Sequence, residues 1–140
     1  RVITDPNTSV ALSDAGAHLT FFCDAGFGLY LMGHWVRRKG VMSLERAVHE
    51  LTGKPSGIYG IQKRGCIALG YWADLMLFDP EMVDRGRKSR HSDLPAGASR
   101  LITDAIGVHG VWVNGHRVVD SKGNVDSKAR PGQVLRQFDA

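Results

Sequence analysis

The chain has 140 residues, 43% of them hydrophobic and 23% charged, and its 18 basic against 14 acidic side chains leave a formal charge of +4. This is ordinary globular usage with enough length to bury a core, and the mild charge argues against a nucleic-acid-binding domain. No basic-then-apolar leader and no apolar run approaching the ~18 residues of a membrane span occurs, so neither export nor membrane insertion is expected. Two cysteines, Cys23 and Cys66, make no disulfide framework, and reduced thiols in a cytoplasmic protein are the default expectation.

Along the chain, Val10-Ala11-Leu12 is a short apolar run of the kind that forms a buried strand. Ser13-Asp14-Ala15-Gly16-Ala17-His18 follows it directly. A carboxylate where a strand ends, before a glycine turn, points out of the sheet, and in a β/α barrel that end is the catalytic face. The plainer alternative is that Asp14 caps the next turn. Leu29, Met32, Trp35 and Val36 then predict a helix over Leu29–Lys39, ended by Gly40 and with Arg37, Arg38 and Lys39 at its C-terminal end. Ser43 reads as the N-cap of a second helix, with Leu44, Ala47, Val48 and Leu51 on one face, closed by Gly53. Pro55 opens a brief turn or one-turn helix through Tyr59.

Beyond Gly65 the pattern shifts to strands. Cys66–Leu69 and Leu75–Asp79 are short and apolar, the second stopped by Pro80. Arg85, Arg87, Lys88, Arg90 and His91 form a basic cluster that lacks aromatic residues for base stacking, and a solvated loop is expected there. Val108–Val113, Asn114-Gly115 and His116–Val119 read as a hairpin, because Asn-Gly suits a type I′ turn. His109 and His116 invite a metal pair, but facing alternation favours plain surface histidines, and His34 and His49 read as structural or solvent-facing. Cys23 reads as a buried structural thiol.

The order of Ser13–His18, then Cys23-Asp24-Ala25, His34-Trp35-Val36-Arg37, Ser43–Val48 and finally Arg64-Gly65-Cys66-Ile67-Ala68-Leu69-Gly70-Tyr71-Trp72-Ala73-Asp74-Leu75 closely resembles the C-terminal part of the N-acyl-D-amino-acid deacylases. These are a branch of the metal-dependent amidohydrolase superfamily. The resemblance runs from about Val10 to Pro131. It implies an α/β fold: a C-terminal fragment of a (β/α)8 barrel, comprising its last strand and following helices, plus part of a small β-sandwich. Residues 1–62 are the end of the barrel, and 63–140 the sandwich portion with a C-terminal tail. A complete barrel needs roughly 250 residues, the chain begins with Arg1 rather than Met, and no His-x-His occurs among its six histidines. A missing N-terminal barrel portion is therefore expected as a partner.

The resemblance implies a metal-dependent hydrolase of amide bonds, acting on a small N-acyl amino acid, with the chain inactive alone. Asp14 is implied as general base on a metal-bound water, and as a metal contact whose companion ligands lie outside this chain. The implied metal is divalent, zinc, bound in the complete enzyme rather than by this chain. His18 is a candidate to bind substrate or orient Asp14, against an ordinary loop histidine, and Asp74 is implied to make structural hydrogen bonds in the sandwich. The resembling D-aminoacylases place an arginine soon after the aspartate. Here Leu19–Asp24 has none, and the next arginine is Arg37. Phe21-Phe22 either favours an apolar substrate or packs under the loop. Neither nucleic acid nor membrane is implied as a partner, and a homo-oligomer stays open. The competing reading is a stand-alone, non-catalytic β-rich binding or oligomerisation domain.

Overall fold

The computed structural model describes residues 2–11, 20–136 and 138. Helices occupy the first part of the chain and antiparallel strands the second. Helix α1 (Phe27–Tyr30) continues without interruption as a π-wound segment, Leu31–Arg38. It covers the expected helix, and Gly40 follows at φ +59°. Helix α2 (Leu44–Leu51) is capped as its sequence dictates: the Ser43 hydroxyl accepts the Arg46 N–H at 3.2 Å. Helix α3 (Gly53–Ile58) begins at Gly53 instead of α2 closing there. Thr52 makes the break, its side chain donating back to the Val48 carbonyl at 2.7 Å.

Five strands follow: β1 (Leu75–Phe78), β2 (Asp84–His91), β3 (Arg100–Ile106), β4 (Val108–Val113) and β5 (His116–Val119). One sheet has the order β1-β4-β5, and β2 and β3 pair as a separate ribbon. The β4–β5 hairpin turns through Asn114 at φ +49° and Gly115 at φ +79°, the left-handed pair that a type I′ turn needs. Gly107, at φ +68°, carries the chain from the ribbon into the sheet. A Cβ there would lie 2.6 Å from the Val83 nitrogen, so this crossing accepts only glycine.

Three expectations fail. Val10 and Ala11 join neither sheet, since no described strand runs beside them to supply a ladder. Cys66–Leu69 is irregular, with Ile67 and Leu69 among the most exposed apolar residues. There the chain turns, Tyr71 N–H reaching back to the Ala68 carbonyl and Gly70 taking φ +81°. The basic stretch expected as a loop is strand β2. Its register against β3 runs from Asp84↔Ile106 to His91↔Arg100, with a bulge between Arg85 and Lys88. The bidentate Arg100–Asp93 pair, at 2.8 Å through each nitrogen, closes the connecting loop.

Cys23, Leu31, Met32, Ala47 and Val83 form the buried core, at the junction of the helices with the ribbon. Leu44, Val48 and Leu51 are half-buried. Beneath α2 and α3 an apolar cavity of about 540 Å³ opens against β1, lined by Met32, Leu51, Ile67, Trp72, Leu75 and Phe78 among others. None of the described helices is long and apolar enough to cross a membrane.

Candidate functional site

Asp14, His18 and Ser13 lie outside the described residues, as does Leu12. Thr20 to Gly26 precede α1. Phe21 is 70% and Phe22 39% exposed. Cys23 turns inward and is buried, as expected, with its Sγ 3.6 Å from the Thr103 Oγ1. The Ala25 backbone and the Thr103 hydroxyl hold its thiol below the ordinary value of 9.0, outweighing its burial.

Asp24 follows, and it gathers two cations from the ribbon. Arg85 Nη1 and Lys88 Nζ both reach Asp24 Oδ1, at 3.2 and 3.1 Å. The Arg85 guanidinium lies over the Tyr30 ring of α1, 4.4 Å from its centroid, and Lys88 lies 5.4 Å from the centroid of Phe22. A Cβ at Gly26 would fall 2.7 Å from the Arg85 Cγ, so glycine there admits the side chain. The stretch after Asp14, which carries no arginine or lysine of its own through Gly26, thus receives two from β2. Sequence reading missed this because the contact joins residues 61 and 64 positions apart, and a run of basic residues alone reads as solvated.

A second cluster fixes the ribbon to the π segment. Asp84, buried, accepts Arg37 at 3.2 Å and also Arg38, while Arg37 donates to the Val83 carbonyl at 2.7 Å. Burial raises the Asp84 pKa, but the Arg38 and Arg85 N–H bonds and the two guanidinium charges outweigh it and keep the carboxyl below its ordinary value. Gly33 makes room, since any Cβ there would overlap the Asp84 carboxyl. Glu50 is held likewise in α2, by Lys54 at 2.8 Å and Arg46 at 2.9 Å, with its pKa lowered chiefly by the Lys54 hydrogen bond.

The third cluster is Asp74. It pairs with Arg64, and its Oδ1 accepts the Asn114 N–H at 2.9 Å. Arg64 also bonds the Asn114 Oδ1 at 3.3 Å and lies against Trp72. Asp74 thus holds the hairpin turn, the structural part implied for it, and is committed to its partners.

The histidines are dispersed. His34 stacks on Tyr30 at 4.7 Å and meets Trp35 edge-on. His116 faces Asp126 at 3.5 Å, and His109 is exposed on β4. Among the described residues no group of three or more His, Cys, Asp or Glu could hold a metal ion. The described carboxylates that are buried, Asp84 and Glu50, are already neutralised by arginine and lysine. The described part therefore does not fit the implied metal by itself.

The sequence model of the amidohydrolase family matches residues 4–119, ending where β5 ends. The N-acyl-D-aspartate deacylase of Alcaligenes xylosoxydans xylosoxydans is 42% identical over 105 residues, 75% of this chain and 19% of that protein. The N-acyl-D-glutamate deacylase of the same organism is 34% identical over 108 residues, 76% of this chain and 20% of that protein. Among solved structures, the N-acyl-D-glutamate deacylase of Bordetella bronchiseptica, in complex with zinc and a phosphonate mimic of the tetrahedral intermediate, superposes with a TM-score of 0.60. It is 34% identical and covers 80% of this chain and 21% of that one. A D-aminoacylase superposes with a TM-score of 0.58 at 31% identity, covering 74% of this chain and 20% of that one. The chain spans about a fifth of the length of the relatives it matches. With the family's sequence pattern running through helices, ribbon and sheet alike, the chain belongs to the amidohydrolase family.

Proposed function

We propose that this chain is part of a metal-dependent hydrolase of N-acyl amino acids, cleaving the amide bond between acyl group and amino acid. The observation that carries this reading is the 42% identity to an N-acyl-D-aspartate deacylase across three quarters of the chain. In this reading residues 1–62 end a β/α barrel and 63–140 form a sandwich portion and tail. The last described α-helix ending at Ile58 and the first strand starting at Leu75 support that division.

Amide hydrolysis needs an activated water, a polarised carbonyl and a proton for the leaving nitrogen. A divalent metal, zinc in this reading, would be held by ligands outside the described residues and would acidify the water and polarise the carbonyl. Asp14 is assigned to accept the water's proton and pass it to the departing nitrogen, a task for a short, rigidly placed carboxylate. His18 is assigned to orient Asp14 or contact substrate.

The test is Asp14→Asn in the full-length enzyme carrying this segment. Turnover is expected to fall by about three orders of magnitude or more, as for loss of a general base, with bound metal retained on elemental analysis. Near-normal turnover would remove Asp14 from the reaction.

A further inference from the structure

The cavity beneath α2 and α3, of about 540 Å³, has the size of the mostly apolar pockets in which proteins hold small molecules. Leu51 of α2, Ile61 beyond α3, and Trp72, Leu75 and Phe78 give it apolar walls, and Arg64 lines it with them. Most of the Arg64 guanidinium is spoken for. One terminal nitrogen pairs with Asp74, and the other donates to the Asn114 Oδ1 at 3.3 Å. The Nε is different: it is buried and has no hydrogen-bond partner among the described residues. Buried N–H groups in folded proteins are almost always paired, so this donor calls for an acceptor that the described chain does not supply. Arg64 also lies against the Trp72 ring, 5.4 Å from its centroid, which sets the donor beside an aromatic wall.

We propose that this cavity binds a small uncharged molecule with an aromatic or alicyclic body and one carbonyl oxygen. The oxygen accepts from Arg64 Nε, and the ring lies against Trp72 and Leu75. Charge sets this class. Asp74 already neutralises the guanidinium, so a carboxylate would have to compete with it, whereas a carbonyl needs only the open N–H. A hydrocarbon of the same shape gains the apolar contact and leaves the donor unpaired. None of these residues is assigned a part in amide cleavage, so the site stands apart from that reaction.

The experiment measures the binding of α-tetralone and tetralin to the full-length enzyme carrying this segment, by ligand-detected NMR. The two are bicyclic molecules of nearly one shape, and only the first has a carbonyl. Arg64→Lys keeps a cation for Asp74 but removes the Nε donor. It is expected to weaken tetralone by about tenfold, the loss of one hydrogen bond from a charged donor, and to leave tetralin unchanged. Ile61→Trp fills the cavity and should abolish binding of both. Equal losses for the two ligands in Arg64→Lys would mean that the arginine only holds the fold, and would overturn the proposal. So would tetralone binding that survives Ile61→Trp, because the ligand would then sit elsewhere. Failure of the wild-type enzyme to bind tetralone at millimolar concentration overturns it outright. Should Arg64→Lys not fold, as judged by its melting curve, loss of tetralone binding in a folded Ile61→Trp supports the site.

Discussion

Arg64 and Asp74, at the two ends of one sequence motif, form an ion pair that encloses the turning chain between them, and Asn114 of the distant hairpin bonds to both. The pair is partly buried on the arginine side, at 14% side-chain exposure. The motif serves the architecture: it clamps the chain entering β1 to the turn between β4 and β5.

Asp74→Ala removes the arginine's partner and the acceptor for the Asn114 N–H together. It should lower unfolding free energy by about 2 kcal/mol, read from urea denaturation. Asp74→Asn keeps an acceptor for the N–H but not the charge, and should lie between. A loss within the noise of the measurement for Asp74→Ala would show the clamp to be idle.

Two glycines with similar backbone angles should behave differently. At Gly115 an added Cβ meets nothing nearer than the Ala73 Cβ at 3.9 Å, so Gly115→Ala carries only the left-handed backbone term, about 1 kcal/mol. At Gly107 the Cβ would press into the backbone at Met82 and Val83, and neither can yield as a flexible side chain would. Gly107→Ala should cost about 3 kcal/mol or more. Equal thermal shifts for the two variants would contradict this.

Asp84 ties stability to acid. Its pKa is lowered in the folded state from an ordinary value of 3.8, so its contribution is complete above that value and is lost as pH falls through the lower, folded-state value. Asp84→Asn should cost about 2 kcal/mol at neutral pH, toward the modest end because Arg38 is 46% exposed. The gap between variant and native protein should narrow in acid. Melting curves at neutral pH and below pH 3.8 decide it, and a gap that stays constant argues against the ion pairs as its source.

The two thiols should separate cleanly on alkylation. Cys66 is exposed and Cys23 buried. Access outweighs the lowered pKa of Cys23, so iodoacetamide should modify Cys66 in the native protein and Cys23 only as it unfolds. Mass spectrometry of the peptides reads the order directly.

Much of the fold was legible from local chemistry. Asn114-Gly115 specified its hairpin to the residue and Ser43 its helix cap, and β1 ends at Phe78, one residue short of the Leu75–Asp79 expected before Pro80. What escaped depends on partners far along the chain. The β2 stretch carries charge where strands usually carry apolar side chains, and pairs only because β3 lies alongside it. Cys66–Leu69 has the composition of a strand and no ladder to join. The same limit governs the site. Asp14 was singled out from its motif, but Lys88 reaches Asp24 only through the folded ribbon, a meeting that no spacing rule announces.

The π winding of Leu31–Arg38 explains how one carboxylate holds two successive arginines. Neighbours on an α-helix diverge by about 100°, so Arg37 and Arg38 would aim at different surroundings. Bonds such as Lys39 N–H to the His34 carbonyl, five residues back at 3.0 Å, put more residues into each turn. That slower rotation lets residues four and five beyond Gly33 straddle its direction, toward Asp84. The winding therefore works as an angular gauge. Tightening it to the ordinary pitch would rotate one guanidinium off its anchor, so helix geometry and ion pairing here select each other.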